Sequence, residues 1–162
     1  SPPEETASTF LENALIKARN ASFLTGLPAI ADDSGLCVDA LNGLPGVNSA
    51  TYAGLKKSDK KNMSKLLENM GETENRKAFF ICTLVAIRNP LDPAPIIVEG
   101  RWYGEISKEL KGTQGFGYDP IFFLNELGRT AAELDRREKN NYSHRAKALK
   151  NLIREIDEKY TS

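Results

Sequence analysis

The chain has 162 residues, with 22 lysines and arginines against 22 aspartates and glutamates, and therefore no net charge. That balance excludes a polycation held to nucleic acid by phosphate neutralisation, and the longest apolar run, residues 78–87, is far too short to span a membrane. With 40% hydrophobic residues the composition is that of a single globular domain, residues 1–162, with a real core.

In chain order, residues 1–8 form a polar, proline-containing lead-in. Thr9 and Glu12 then have capping-box spacing, and a helix to about Leu24 is expected, with Phe10, Ala14, Lys17, Ala18 and Ala21 near one stripe. A lysine among alanines is unusual on a packed face. Gly26-Leu27-Pro28 stops the helix, and Ala29-Ile30-Ala31 opens a short buried strand that ends in Asp32-Asp33-Ser34-Gly35. Leu36, Val38 and Ala40 alternate with Cys37, Asp39 and Leu41 as a further extended piece, and Asn42-Gly43 and Pro45-Gly46 mark turns. Residues 58–70 predict a second helix, capped by Ser58 and stopped by Gly71. Residues 77–88 are the strongest strand, with residues 96–106 as the antiparallel partner. A glycine-rich loop at 112–119 leads to a short strand at 121–124, a short helix is expected near 130–134, and Ser143 caps a final helix to about Tyr160. Helices interleave with strands, which indicates an α/β fold with a mixed sheet. Cys37 and Cys82 are too few for a disulfide framework or a complete metal cage. Each lies in a β-rich apolar segment and reads as a buried hydrophobe in a reducing compartment; no signal peptide is visible.

Four places carry possible chemistry. Asp32-Asp33-Ser34-Gly35 puts two carboxylates where open α/β sheets place ligands, able to hold Mg²⁺ or accept a proton from water; an Asx turn ending the strand is the plainer reading. Glu4 and Glu5 precede a helix whose dipole favours acids there, and Lys17 either snorkels or meets a phosphate. The stretch Gly115-Phe116-Gly117-Tyr118-Asp119-Pro120 sets two aromatics and an acid on a backbone able to approach a ligand closely, though such loops also make ordinary strand entries. Finally, His144 and Arg145 follow Ser143 at a helix start, where cations oppose the dipole. Recognition of an anion or a carbonyl would justify them; a lone histidine is otherwise more often structural.

Taken together, residues 9–22 (TFLENALIKARNAS), 27–54 (LPAIADDSGLCVDALNGLPGVNSATYAG), 115–123 (GFGYDPIFF) and 130–149 (TAAELDRREKNNYSHRAKAL) resemble the inosine triphosphate pyrophosphatase family, in its bacterial branch. The resemblance implies an elongated mixed sheet flanked by helices, two lobes with a central substrate cleft, and a cytoplasmic homodimer without nucleic-acid or membrane partners. It implies Mg²⁺-dependent hydrolysis of ITP, dITP and XTP to the monophosphate and pyrophosphate. By position, Asp33 matches the catalytic carboxylate that binds metal and activates water, Glu5 the second metal-linked acid, and Lys17 a catalytic lysine on the phosphate side. Ser34, Phe116, Gly117, Tyr118 and Asp119 match substrate contacts, the last four forming the base-pocket loop, while Lys139, His144 and Arg145 match cations that read the base. Family members open with a strand and a Thr/Ser-x-Asn-x-x-Lys phosphate loop, whereas this sequence starts after that element. Two alternatives therefore stand beside the leading expectation: an impaired, truncated form acting only as a nucleotide-binding or dimerisation module, and a related pyrophosphatase of different base preference.

Overall fold

The computed structural model describes residues 2–160. In chain order it contains α1 (Phe10–Thr25), β1 (Ala29–Val38), α2 (Asp59–Met70), β2 (Lys77–Ile87), β3 (Ile96–Ile106), β4 (Phe122–Leu124), β5 (Arg129–Thr130), α3 (Arg136–Asn140) and α4 (His144–Tyr160), with short 3₁₀ turns between them. The fold is α/β. Its five-stranded sheet has the order β1-β2-β3-β4-β5, and β4 pairs antiparallel with both β3 and β5. Antiparallel pairing is more prominent than the interleaved sequence suggests, because loops and turns rather than crossover helices join these later strands.

Local chemistry explains the element ends. The Thr9 hydroxyl accepts from the Glu12 amide at 3.2 Å and donates to its carboxylate at 2.7 Å. At the other end of α1, Gly26 takes a left-handed φ of 69° and its amide returns to the Ser22 carbonyl. Ser58 caps α2 through the Lys61 amide, and Asp135 forms a reciprocal capping box with Glu138 at the start of α3. Three expectations shift. Asp32, Asp33 and Ser34 lie inside β1, not at its end, because the Leu36–Val38 stretch continues the same strand. The helix expected near 130–134 is a 3₁₀ turn, Ala131–Glu133, with α3 beginning at Arg136. The strand expected at 121–124 begins one residue later, after a 3₁₀ turn containing Pro120.

The chain forms two compact units, the first from residues up to 34, 81–101 and from 144 onward, the second from 35–80 and 102–143. In the first, Ala14 and Ala18 of α1 pack on Val85 and Ile87, while Ala86 and Ile96 pack on Leu152 of α4. The alternation along β2 thus serves two helices, one per face. Gly100 brings α4 unusually close: a Cβ there would lie 2.3 Å from the His144 carbonyl oxygen. Lys147 and Asn151 fasten the same contact through the Arg101 and Glu99 carbonyls at 2.8 and 3.0 Å. In the second unit, Leu36, Val38, Leu66, Met70, Phe80, Trp102 and Phe122 build a larger core in which Phe80 and Phe122 stack at 4.5 Å. Among the described residues no helix is long and apolar enough to cross a membrane.

Candidate active site

Within the first unit, the acidic residues singled out by the sequence meet around one lysine. The Lys17 ammonium lies 2.8 Å from Glu5 Oε1 and 3.9 Å from Asp33 Oδ1. Its odd place on the alanine stripe is thereby explained: Ala14 and Ala18 are fully buried against the sheet, and Lys17 on the same helix reaches past them to the acids. Asp33 itself is only 8% exposed, and its second oxygen, Oδ2, is buried without a hydrogen-bond partner. Burial pushes the Asp33 carboxyl above its ordinary value. The Lys17 charge opposes that rise, the Glu5 charge adds to it, and hydrogen bonds from Asn13 and the Ser34 backbone pull it back. An unsatisfied buried oxygen is costly, and folded proteins tolerate one where an ion, a water or a reacting group is to occupy it.

Next to this cluster, Asp32 points elsewhere, as neighbours in a strand must. Its Oδ2 lies 3.7 Å from Arg145 Nη1 and accepts from the Ser34 hydroxyl at 3.4 Å. Arg145 is thus held at the start of α4 by an acid from β1. His144, beside it, is 7% exposed and packed rather than presented to solvent.

The glycine-rich loop and Lys139 come together in the second unit. Asp119, 3% exposed, accepts from the Phe116 amide at 3.0 Å and from the Lys139 ammonium at 2.5 Å. Lys139 also stands over the Phe116 ring, 4.5 Å from its centroid. A Cβ on Gly115 would come 2.1 Å from Asp119 Oδ2, so that position admits only glycine if the carboxylate is to stay. The Gly117 amide donates to Asp59 Oδ2 at 2.9 Å. Tyr118 is buried, and its hydroxyl donates to the Ser49 carbonyl at 2.7 Å; burial pushes that hydroxyl's pKa well up. Phe116 is largely exposed, at 59%, whereas Tyr118 and Asp119 beside it are buried.

The site residues read from the sequence therefore fall into two groups: Glu5, Lys17, Asp33, Ser34, His144 and Arg145 in the first unit, and Phe116, Gly117, Tyr118, Asp119 and Lys139 in the second. Asn13, Asp32 and Asp59 have supporting contacts that sequence reasoning did not assign. Asn13 looked like an ordinary polar residue in the first turns of a helix. Asp59 looked like an ordinary acid in the first turn of a helix.

Residues 1–155 match the model of the Ham1 family. The chain belongs to that family. The dITP/XTP pyrophosphatase of Pectobacterium atrosepticum is 56% identical over 152 residues, which cover 93% of this chain and 77% of the relative. The dITP/XTP pyrophosphatase of Nitrosomonas europaea is 54% identical over 158 residues, covering 98% of this chain and 78% of that protein. Among solved structures, a HAM1 protein from Coxiella burnetii superposes with a TM-score of 0.95 at 51% identity, covering 98% of this chain and 81% of that one. The dITP/XTP pyrophosphatase of Mycobacterium abscessus gives a TM-score of 0.82 at 44% identity, covering 96% and 80%.

Proposed function

We propose that this Ham1-family chain hydrolyses non-standard purine nucleoside triphosphates (dITP, XTP and ITP) to the nucleoside monophosphate and pyrophosphate, and so clears them from the nucleotide pool. The observation that carries this reading is the buried Asp33 carboxylate with an unsatisfied oxygen beside Lys17 and Glu5. The dITP/XTP activity named for relatives at 54–56% identity supports the substrate class.

The reaction needs a water in line with the α–β anhydride, a proton acceptor, and positive charge to meet the negative charge that develops on the phosphates. In this reading the Asp33 carboxylate takes the proton of the attacking water, an assignment favoured by its raised pKa, which makes it a stronger base than an exposed aspartate. The Lys17 ammonium leaves Glu5 to meet the phosphate oxygens. Water adds to one phosphorus as the bridging oxygen departs with the pyrophosphate, so the products are the monophosphate and pyrophosphate, with one proton left on Asp33. The residues also suit a divalent metal: two carboxylates, one with a free buried oxygen, match the one or two acids that Mg²⁺ takes alongside substrate phosphates. Glu5 and Asp33 would hold it, and we assign Mg²⁺; when bound it supplies charge neutralisation and polarises an oxygen.

Lys139 is proposed as the base-reading group. Hypoxanthine and xanthine carry a carbonyl at position 6 where adenine carries an amino group, so a cationic donor favours the former and leaves the latter facing a donor. The pairing of Lys139 with Asp119 supports the reading, since an aimed donor discriminates better than a loose one. The test is pyrophosphate release from dITP, XTP, dGTP and dATP at fixed Mg²⁺. Both dITP and XTP should lead dATP by at least about a hundredfold in kcat/KM, the range of a pocket that leaves a polar group unpaired. Comparable rates on dATP would remove the reading.

A further inference from the structure

The lead-in before α1 has no secondary structure of its own, yet it carries Glu5, one of the two acids on Lys17. A carboxylate on an irregular segment is useful only if something fixes that segment. Asn13 is the group that does so. It is 1% exposed, and its side-chain amide grips the backbone of Ala7 from both sides: its oxygen accepts from the Ala7 amide at 3.0 Å, and its nitrogen donates to the Ala7 carbonyl at 3.4 Å. The Asn13 amide also pulls the Asp33 carboxyl's pKa down. Four residues on, one helical turn along the same face, stands Lys17.

We infer that Asn13 is the positioning residue of the carboxylate cluster: one buried amide holds the Glu5 segment in register with the Lys17 helix. An asparagine suits this place for reasons of inventory. It supplies both an acceptor and a donor, which the amide and the carbonyl of Ala7 consume together. Aspartate would add a charge against Asp33, serine would lack a separate donor, and leucine would leave the Ala7 peptide unpaired. The alternative role for a buried asparagine, a helix cap, does not apply here, because Thr9 already caps α1. The inference rests on the proposed hydrolytic role for its kinetic arm, but not for its structural arm.

The experiment combines two readouts on the full chain. Amide hydrogen exchange follows residues 4–8 in the parent, Asn13→Ala and Asn13→Asp. Exchange at Ala7 should quicken at least tenfold in Asn13→Ala, with α1 and the sheet unchanged. It should quicken less in Asn13→Asp, which keeps the acceptor for that amide. Steady-state hydrolysis of dITP then supplies a double-mutant cycle with Glu5→Gln. Asn13→Ala should lower kcat about ten- to a hundredfold with KM within about threefold, as expected for a misplaced catalytic group. Added to Glu5→Gln it should cost no more than about a further threefold, because the two changes disable the same element. Unaltered Ala7 exchange, or kinetic losses that multiply, would overturn the inference. A parent that fails to hydrolyse dITP would sink the functional reading instead, while the exchange result would still decide whether Asn13 holds the lead-in.

Discussion

The carboxylate cluster of the first unit and the aromatic loop of the second contain the same kinds of group, an aspartate and a lysine, in opposite states. Asp119 is saturated: a backbone amide and the Lys139 ammonium both bind it, and a glycine is kept clear of it. Asp33 is not. Its lysine stands 3.9 Å off and shares itself with Glu5, and one oxygen has nothing to accept from. The contrast separates recognition from chemistry. A group that only shapes a pocket gains from having every hydrogen bond made, whereas a group that must take a proton or an ion has to keep a valence open and bears the cost of burial. Tyr118 falls on the saturated side: its hydroxyl is occupied by the Ser49 carbonyl, so it stiffens the loop, leaving Phe116 and Lys139 as the presented groups.

The largest effect should come from closing the open valence. Asp33→Asn keeps the shape but removes the base, and dITP turnover should fall by about 10²–10⁴-fold. Stability should move the other way. A carboxyl whose folded pKa is raised by burial costs stability once it ionises, so at pH 7 the asparagine variant should melt no lower than the parent, and above it if burial dominates. That advantage should vanish as pH falls below the unfolded value of 3.8, where the carboxyl is protonated in the folded and the unfolded chain alike. Melting curves at pH 7 and pH 3 would show it; a variant less stable only at pH 7 would mean that Asp33 is a structural ion pair.

A smaller effect should follow from disturbing the saturated side. Gly115→Ala drives a methyl into Asp119, the loop must shift, and Lys139 loses its aim. KM for dITP should rise about tenfold, a loss on the scale of one pocket contact, with kcat nearly kept. An unchanged KM would show that the loop does not hold the base.

The smallest effect on activity belongs to a saturated acid that is a member of neither cluster. Asp92 accepts from the Arg88 and Ala94 amides at 2.9 Å each in the β2–β3 turn, and those two bonds hold its carboxyl below the ordinary carboxylate value. A lowered folded pKa stabilises the protein above the unfolded pKa and is lost as pH falls through the folded one. Asp92→Ala should therefore lower the melting temperature at pH 7, with a difference that shrinks below about pH 4, and leave kcat on dITP within a factor of two. A constant difference at all pH values would assign the loss to packing.

Much of this was legible in the sequence, and the exceptions have physical causes. Caps at Thr9 and Ser58 depend on groups three residues away, so spacing alone reveals them. The grouping of Asp33, Glu5 and Lys17 came from family resemblance; spacing offered only an odd lysine. What was not legible depends on distance in space. Ser34 was expected as a substrate contact, and the turn of its hydroxyl toward Asp32 could not be read from spacing. Gly100 read as an ordinary strand residue, and only the approach of α4 shows why a side chain cannot stand there. Asn13 gave no chemical signal because an amide in a helix acquires meaning from the backbone it grips. The strand end expected after Ala31 was misplaced for a similar reason: two aspartates suggest a turn until the neighbouring strand carries the extended conformation through them.

The division of labour is tested most directly by measuring kcat/KM for dITP and for dATP in two variants, Asp33→Asn and Lys139→Met. Asp33→Asn should lose activity on both nucleotides in equal proportion, so that their ratio stays at the parent's value. Lys139→Met should narrow the ratio by about tenfold or more, the scale of one charged hydrogen bond, while keeping most of kcat. An unchanged ratio in Lys139→Met together with an altered one in Asp33→Asn would contradict that division, because the acid cluster would then be reading the base.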